Sequence, residues 1–463
     1  MTARTSPLPR GDPGDGVPDS VAEYHALLTD ELAQDSAAQL DEQLRTRGLY
    51  FGDRPLCSVL RPRFFSPEQW RMLQRRAAVV LRAFRKAHRA ALGDERILAQ
   101  FRLMDWEHSL VHVDPGFRDP SPTSRLDAFF VGEDGLKFTE YNAETPAGGG
   151  YNDALSEMFF AMPVMRHFMR TWDMRALPAR HTVLQALLDC WEQFSGGSDR
   201  PRIAIIDWDD VPTQSEFRLF QDYFRRQGYE CEIIPPAAVS YSGGKLRASH
   251  GVIDVVYKRV LLHELVERGG VDHPILQAVR DRAVCMVNPP SCKILHKKAS
   301  LAVLSDEKNA RLFDPEELRQ IAETIPWTRV MEERRTMHEG VEVDMLDFVA
   351  SHRDQLVLKP NDEYGGKGII LGWEVDETAW RDAMTTALAE PYIVQQRIPL
   401  PTEPYPSLVD GHVEFMDRMV DTAPYVAHSG HLDGCLSRLG TAALLNVTAG
   451  GGSQTPSFLV ERR

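Results

Sequence analysis

The chain has 463 residues, 43% hydrophobic and 26% charged, with a formal net charge of −14. That length allows two or three packed lobes around substantial cores, and the composition is ordinary for a globular protein. The acidic balance argues against nucleic acid or anionic membranes as partners, since both reward a basic surface. No apolar run reaches the length of a membrane span, and residues 1–18 lack the apolar core of a signal peptide. Residues 1–20, rich in Pro, Gly, Thr and Asp, are expected to form a disordered leader. Six scattered cysteines (57, 190, 231, 285, 292 and 435) include no Cys-x-x-Cys pair. Without a targeting signal, this pattern predicts reduced thiols and a cytoplasmic location.

Apolar periodicity predicts helices over 20–47 and 66–93. Ser66-Pro67-Glu68-Gln69 is a helix start, with Ser66 as N-cap, Pro67 at N1 and an acidic residue in the first turn. The basic cluster from Arg82 to Arg89 would lie on the solvated face of that helix. His108 and His112 stand at i and i+4, but the sequence is not His-Glu-x-x-His. His428 and His431 also lack surrounding ligands, so no zinc site is expected at either pair.

Leu126 to Val131 and the segment from Phe138 onward read as two strands joined by Gly132-Glu133-Asp134-Gly135, which is good hairpin-turn chemistry. In an extended strand Glu140 and Asn142 project from one face. A carboxylate and an amide carbonyl there are hard oxygen ligands, suited to a Mg²⁺ that also holds substrate phosphates. Asp127 would add a third oxygen from the facing strand. The competing account is a hairpin whose polar face is simply solvated.

Helical periodicity resumes over 153–174 and 178–194, then breaks at Ser195-Gly196-Gly197-Ser198. Arg202 to Asp207 read as a buried strand, followed by a helix over 213–228 and strands from Cys231 to Ile234 and Val252 to Tyr257. Asp207, Asp209 and Asp210 then fall at the carboxyl end of a parallel strand, where open sheets bind ligands. Loop solubility with helix N-capping is the other account of those aspartates.

Lys297 and Lys298 precede a periodic apolar run, either as a charged helix start or as contacts to nucleotide phosphates. Val357-Leu358-Lys359 is a short strand ended by Pro360 and followed by Gly365-Gly366-Lys367-Gly368. Glycines let backbone N–H groups cradle phosphate oxygens, and a lysine supplies a point charge. The spacing is neither a P-loop nor a dinucleotide fingerprint, and a plain hairpin loop would look the same. Tyr392 to Pro399 read as a strand running into a polar linker that offers adenine an apolar wall and backbone hydrogen bonds. Arg438 precedes the glycine-rich run from Asn446 to Gly452. Its planar fork suits a carboxylate or phosphate; the alternative is a surface arginine in a C-terminal strand.

Together these motifs resemble the circularly permuted ATP-grasp ligases, specifically the synthetase domain of glutathionylspermidine synthase. Arg125-Leu126-Asp127 and the stretch from Glu140 to Pro146 resemble that family's Mg²⁺-binding motifs, which there too precede the ATP lysines. Ordinary ATP-grasp enzymes carry their metal ligands after the lysines. The resemblance implies an α/β (α+β) fold: a circularly permuted ATP-grasp core, a small α/β lobe and a helical N-terminal region. It implies ATP and Mg²⁺ as cofactors, with Asp127, Glu140 and Asn142 on the metal. Lys298 and Lys359 would contact ATP phosphates under a mobile loop of Gly365, Gly366, Lys367 and Gly368. Gln395 and Gln396 would sit in the adenine hinge, where many members carry Gln-Glu. Arg125 would stabilise the transferred phosphoryl group and Arg438 would bind carboxylate or phosphate.

The implied activity is ADP-forming ligation of a small-molecule carboxylate to an amine through an acyl phosphate. A small-molecule kinase and a non-catalytic ATP-binding protein of the same fold are the alternatives. Past the leader, the expected divisions are a helical region (21–120), metal-site strands and helices (121–200) and a small α/β lobe (201–284). An ATP-binding lobe (285–400) and a C-terminal return to the core (401–463) complete them. The acyl and amine substrates and the oligomeric state stay open.

Overall fold

The computed structural model describes residues 17–51, 53–130, 135–363, 365–427, 430–441 and 452–463. Most of the expected leader, the hairpin turn at 132–134, His428 and most of the glycine-rich run at 446–452 lie outside them. The fold is mixed α/β. Among the described residues the largest sheet has nine strands. It runs in the order Thr402–Val409, His412–Val420, Leu432–Gly440, Ala423–Val426, Ser124–Phe129 and Lys137–Asn142. The strand Ser453–Arg462 pairs with Leu432–Gly440, with Trp172–Ala176 and, in parallel, with Arg63–Phe65.

The expected hairpin forms. Ser124–Phe129 pairs antiparallel with Lys137–Asn142, setting Arg125 opposite Asn142 and Asp127 opposite Glu140. Alternation therefore puts all four side chains on one face, while Leu126, Ala128 and Phe138 are fully buried on the other.

The β–α–β passage builds a four-stranded parallel sheet in the order Cys285–Val287, Val255–Lys258, Ile203–Ile206, Cys231–Ile234. Its continuous apolar strands are explained by burial on both faces. Ala204, Ile206, Val256 and Met286 pack into one core, and Ile203, Ile205, Val255 and Tyr257 into another. A second four-stranded sheet is antiparallel, in the order Thr328–Val330, Tyr392–Gln396, Leu356–Pro360, Ile370–Leu371. Leu356, Leu358 and Val394 turn one of its faces onto Trp380, Phe348 and Met384.

The helix from Pro67 to Gly93 starts as its sequence predicts, with Ser66 and Gln69 forming a reciprocal capping box. Its basic face is not simply solvated. Arg82 pairs with Glu316 at 2.5 Å and Lys86 with Asp314 and Glu317 at 3.0 and 2.6 Å, joining it to the acidic helix Pro315–Thr324.

Two predicted helices are broken. The span 20–47 is two helices, Val17–Leu27 and Asp30–Thr46, because Thr29 stops the first and caps the second through Leu32 N–H. The span 153–174 holds Gly149–Ala161 and Pro163–Phe168, with Met162 extended between them. Proline disfavours helical backbone in the residue before it, so Pro163 restarts the helix rather than continuing it. Residues 172–174 belong to the strand Trp172–Ala176, since edge pairing with Ser453–Arg462 outweighs local periodicity there.

Candidate functional site

Three structural units converge on one cavity of about 1060 Å³. The hairpin contributes Arg125, Asp127, Glu140 and Asn142, and the antiparallel sheet contributes Lys359, Gln395 and Gln396. Lys298, Gly365, Gly366 and Arg438 also line it, so residues spread over more than 300 positions meet at one place. Lys367 and Gly368 do not belong to the described lining. Lys367 is exposed and pairs with Glu363 at 3.4 Å. A Cβ on Gly368, whose φ is +71°, would strike the Pro360 ring at 2.7 Å, so this turn needs glycine.

The centre is an ion network. Arg125 donates to Asp127 through Nε and Nη2 at 2.6 and 2.9 Å, and to the Ala147 carbonyl at 2.6 Å. Arg438 donates to Asp127 at 2.7 Å and, through Nε and its backbone N–H, to both oxygens of buried Asp421 at 2.5 Å. Burial disfavours both guanidinium charges, but Asp127 raises the pKa of Arg125, and Asp421 with Asp127 raises that of Arg438. Lys298 pairs with Glu140 at 2.9 Å and donates to the Glu363 carbonyl at 2.7 Å. Lys359 donates to Gln395 Oε1 at 2.7 Å, and Gln395 donates to Thr328.

Burial alone would push the Glu140 carboxyl up; Lys298, then Lys359 and Arg438, hold it well below the usual range. The Lys359 ammonium, by contrast, is pulled down to about 8 by burial, Glu140 only partly opposing this. Four cations (Arg125, Arg438, Lys298, Lys359) thus face three carboxylates (Asp127, Glu140, Asp421). That surplus suits a polyanion.

The oxygen ligands are not equivalent. Glu140 uses Oε1 on Lys298, and Asn142 spends its N–H on Asp127 at 3.0 Å, which leaves the Asn142 carbonyl oxygen for another partner. These two fit a hard cation brought in with phosphates. Asp127 Oδ2 already accepts from Arg125, Asn142 and Arg438, so a cation reaches it only by displacing a donor. At the expected hinge, Gln395 is buried between Lys359 and Thr328, and the N–H groups of Gln396 and Arg397 are taken by Trp327 and Gln355 carbonyls. Val357, Ile369, Leu371 and Trp373 supply an apolar wall beside them, with Arg397 stacked over Trp373 at 4.1 Å.

The parallel-sheet lobe also lines the cavity, with Asp207, Thr213, Arg259 and Glu264, and His296 joins them from the helix Cys292–His296. Asp207 sits past the end of Ile203–Ile206, and burial pushes its carboxyl up to about 6, the Trp208 N–H and Arg259 opposing and Glu264 adding to the rise. Both nearby cations are already matched: Lys258 pairs with Glu144 at 3.2 Å and Arg259 with Glu216 at 3.3 Å. Asp209 and Asp210 stay outside the described lining, and Asp210 pairs with Arg268 at 3.2 Å. Lys297 does not face the cavity either. It is buried against Glu107 and Asp362 at 2.8 and 2.9 Å.

Sequence reasoning passed over Asp421, which orients Arg438, and the buried cluster of Glu144, Lys293 and Asp362 that braces the start of the glycine loop. A carboxylate between two C-terminal strands carries no local signal. Adjacent Lys297-Lys298 could have given one, because neighbours on a helix start diverge and both cannot enter one site.

The chain matches no family model. It is 24% identical over 428 residues to a candidate glutamate–cysteine ligase of Frankia alni, covering 84% of this chain and 45% of that protein. The chain thus spans about half the length of the curated relative it matches. Among solved structures it resembles a glutathione-synthetase-like effector from Globodera pallida in its apo form. The TM-score is 0.58 at 15% identity, covering 95% of this chain and 96% of that one. The two therefore share a fold. A candidate γ-glutamylcysteine synthetase from Methylobacillus flagellatus aligns over 81% of this chain and 86% of its own at 13% identity, with a TM-score of 0.39, too low to carry an argument. Among the described residues no helix is long and apolar enough to cross a membrane, and all six cysteines are buried free thiols.

Proposed function

We propose that the chain is an ADP-forming carboxylate–amine ligase of the circularly permuted ATP-grasp type, using ATP and Mg²⁺ on small-molecule substrates. The observation that carries this reading is the meeting of Glu140, Asn142, Lys298, Lys359 and Arg438 in one cavity. Names of the Frankia relative and the Globodera neighbour support ligase chemistry and a glutathione-synthetase-like fold. The order of the chain, oxygen ligands before lysines, supports the permuted branch.

Lys298 and Lys359 bind the phosphates, exchanging their present partners Glu140 and Gln395 for phosphate oxygens. Glu140 and the Asn142 carbonyl would hold Mg²⁺, which would supply charge neutralisation during phosphoryl transfer. Arg125 and Arg438, each locked by a buried carboxylate, face the transferred group with their donors already oriented, so little reorganisation is needed. The substrate carboxylate attacks the γ-phosphorus, the bond to ADP breaks, and an acyl phosphate forms. Gly365 and Gly366, at φ +67° and +80°, let their loop approach the phosphates and exclude water.

The amine enters beside Asp207 and Glu264, neither of which is held in an ion pair among the described residues. Asp207, poised near 6, accepts a proton from the incoming ammonium. The freed lone pair forms the C–N bond at the acyl carbon, the C–O bond to phosphate breaks, and the departing phosphate takes the second amine proton. The test is an ADP-release screen over pools of carboxylic acids and amines with mass analysis of product. Amine-dependent ADP and phosphate with a dehydrated conjugate is the expected result. A phosphorylated product formed without amine establishes a kinase, and nucleotide binding without turnover overturns the enzyme reading.

A further inference from the structure

A separate constellation lies on the surface, away from the cavity. Glu95 begins the short helix Glu95–Leu98, while His108 and His112 lie one turn apart on and just beyond the helix Asp105–Val111. The chain reverses between them at Arg102, in a left-handed conformation with φ +54°. The reversal brings the Glu95 carboxylate across both imidazoles. Its Oε2 lies 3.0 Å from His108 Nε2 and its Oε1 3.9 Å from His112 Nε2. One ligand atom from each residue lies within 4.8 Å of the others.

We propose that Glu95, His108 and His112 form a binding site for a first-row divalent cation, Zn²⁺ foremost. Two metal–ligand bonds of about 2.05 Å at a tetrahedral angle set their donors about 3.3 Å apart. One donor from each residue already lies within 4.8 Å of the others, and the two oxygens of Glu95 approach the two imidazoles to 3.0 and 3.9 Å, so rotamer adjustments suffice to close the site. Two imidazole nitrogens and one carboxylate are a borderline-soft set that favours zinc, nickel or copper over magnesium or calcium. With three protein ligands the fourth position goes to water.

The scaffold beneath the ligands is held by hydrogen bonds and burial. Glu107 accepts from Met104 N–H at 2.8 Å, His108 N–H bonds the Met104 carbonyl at 2.9 Å, and Leu110 and Val111 are buried. The inner side of this segment also supports the cavity. Glu107 pairs with Lys297, and the Phe101 carbonyl accepts from Asn361 at 2.9 Å, directly before the glycine loop. A bound cation therefore cross-links the outer face of the corner on which that loop rests.

Zinc titration of the full, tag-free, chelator-treated chain against a chromophoric competitor tests this. One equivalent should bind, and His108→Ala, His112→Ala and Glu95→Gln should each weaken that binding at least tenfold, with circular dichroism unchanged. Glu140→Gln should leave it unaltered, which separates this site from any metal in the cavity. Cobalt substituted at the site should give the intense visible absorption of a four-coordinate ion, lost in His112→Ala. No stoichiometric zinc binding in the parent chain, or parent-like affinity in both histidine variants, overturns the proposal.

Discussion

Replacing Glu140 with glutamine keeps the shape of the side chain and removes the counter-charge of Lys298, 2.9 Å away. At an effective dielectric of ~20 the Coulomb attraction at that separation is about 6 kcal/mol, most of it offset by desolvation of the two ions. The net value of a charged hydrogen bond is about 1.5–3 kcal/mol. The Glu140 side chain keeps 27% of its surface exposed, which places the loss at the lower end, about 2 kcal/mol. Unfolding entropy of ~2.1 cal/mol/K per residue over 463 residues makes each kcal/mol worth only about 1 °C. Glu140→Gln should therefore melt about 2 °C lower. Because the fold holds this carboxyl below its ordinary 4.5, its contribution is complete above that pH and fades as pH falls below it. The stability gap between parent and variant should accordingly narrow in acid. Mg²⁺-dependent ADP release should meanwhile fall to background, because the charged oxygen ligand is gone. Thermal melts at pH 7 and below 4, alongside an ADP-release assay, measure both effects. Parent-like turnover in Glu140→Gln would refute the site assignment, and an unchanged melting temperature would refute the ion-pair accounting.

Lys359 carries its charge below about pH 8 and loses it above, and phosphate favours the charged form. ATP binding at pH 8 to 9 should therefore take up protons and weaken as pH rises, as calorimetry in buffers of different ionisation heat will report. Lys359→Ala should abolish that uptake and cost about 1.5–3 kcal/mol of ATP affinity. Asp421→Asn should leave ATP affinity near parental while lowering kcat at least tenfold, because Arg438 keeps only one of its two charged anchors, Asp127; equal kcat would remove Asp421 from the machinery. Lys293→Met leaves Glu107, Glu144 and Asp362 with only Lys258 and Lys297, one cation short, and should destabilise the fold by about 3–5 kcal/mol in urea titration.

Legibility followed how local the determining interaction is. The hairpin at Asp127 and Glu140 was readable because period-two alternation and a turn sequence lie within about twenty residues. The strand Cys231–Ile234 and the N-cap at Ser66 were readable for the same reason. The strand Trp172–Ala176 was not, since only its partner near the C-terminus makes it extended. Of the lysine pair, one faces the cavity and the other a buried carboxylate supplied from residue 107. Local sequence names the candidates, but only the fold divides their roles. Asp421 illustrates the limit: its meaning is entirely the arginine beside it.

The strand Ser453–Arg462 is held by three partners, and its threonine, Thr455, bonds the Arg61 carbonyl 394 positions earlier. At a translation speed of roughly 5–20 residues per second, the Arg63–Phe65 strand waits about 20–80 s on the ribosome for that partner. Throughout that interval its open edge and the apolar faces of Phe64 and Phe65 are exposed to other nascent chains. Loop closure of this length is also slow in itself, since distant contacts form late. Chains released before residue 453 should therefore be substrates for chaperones and proteases.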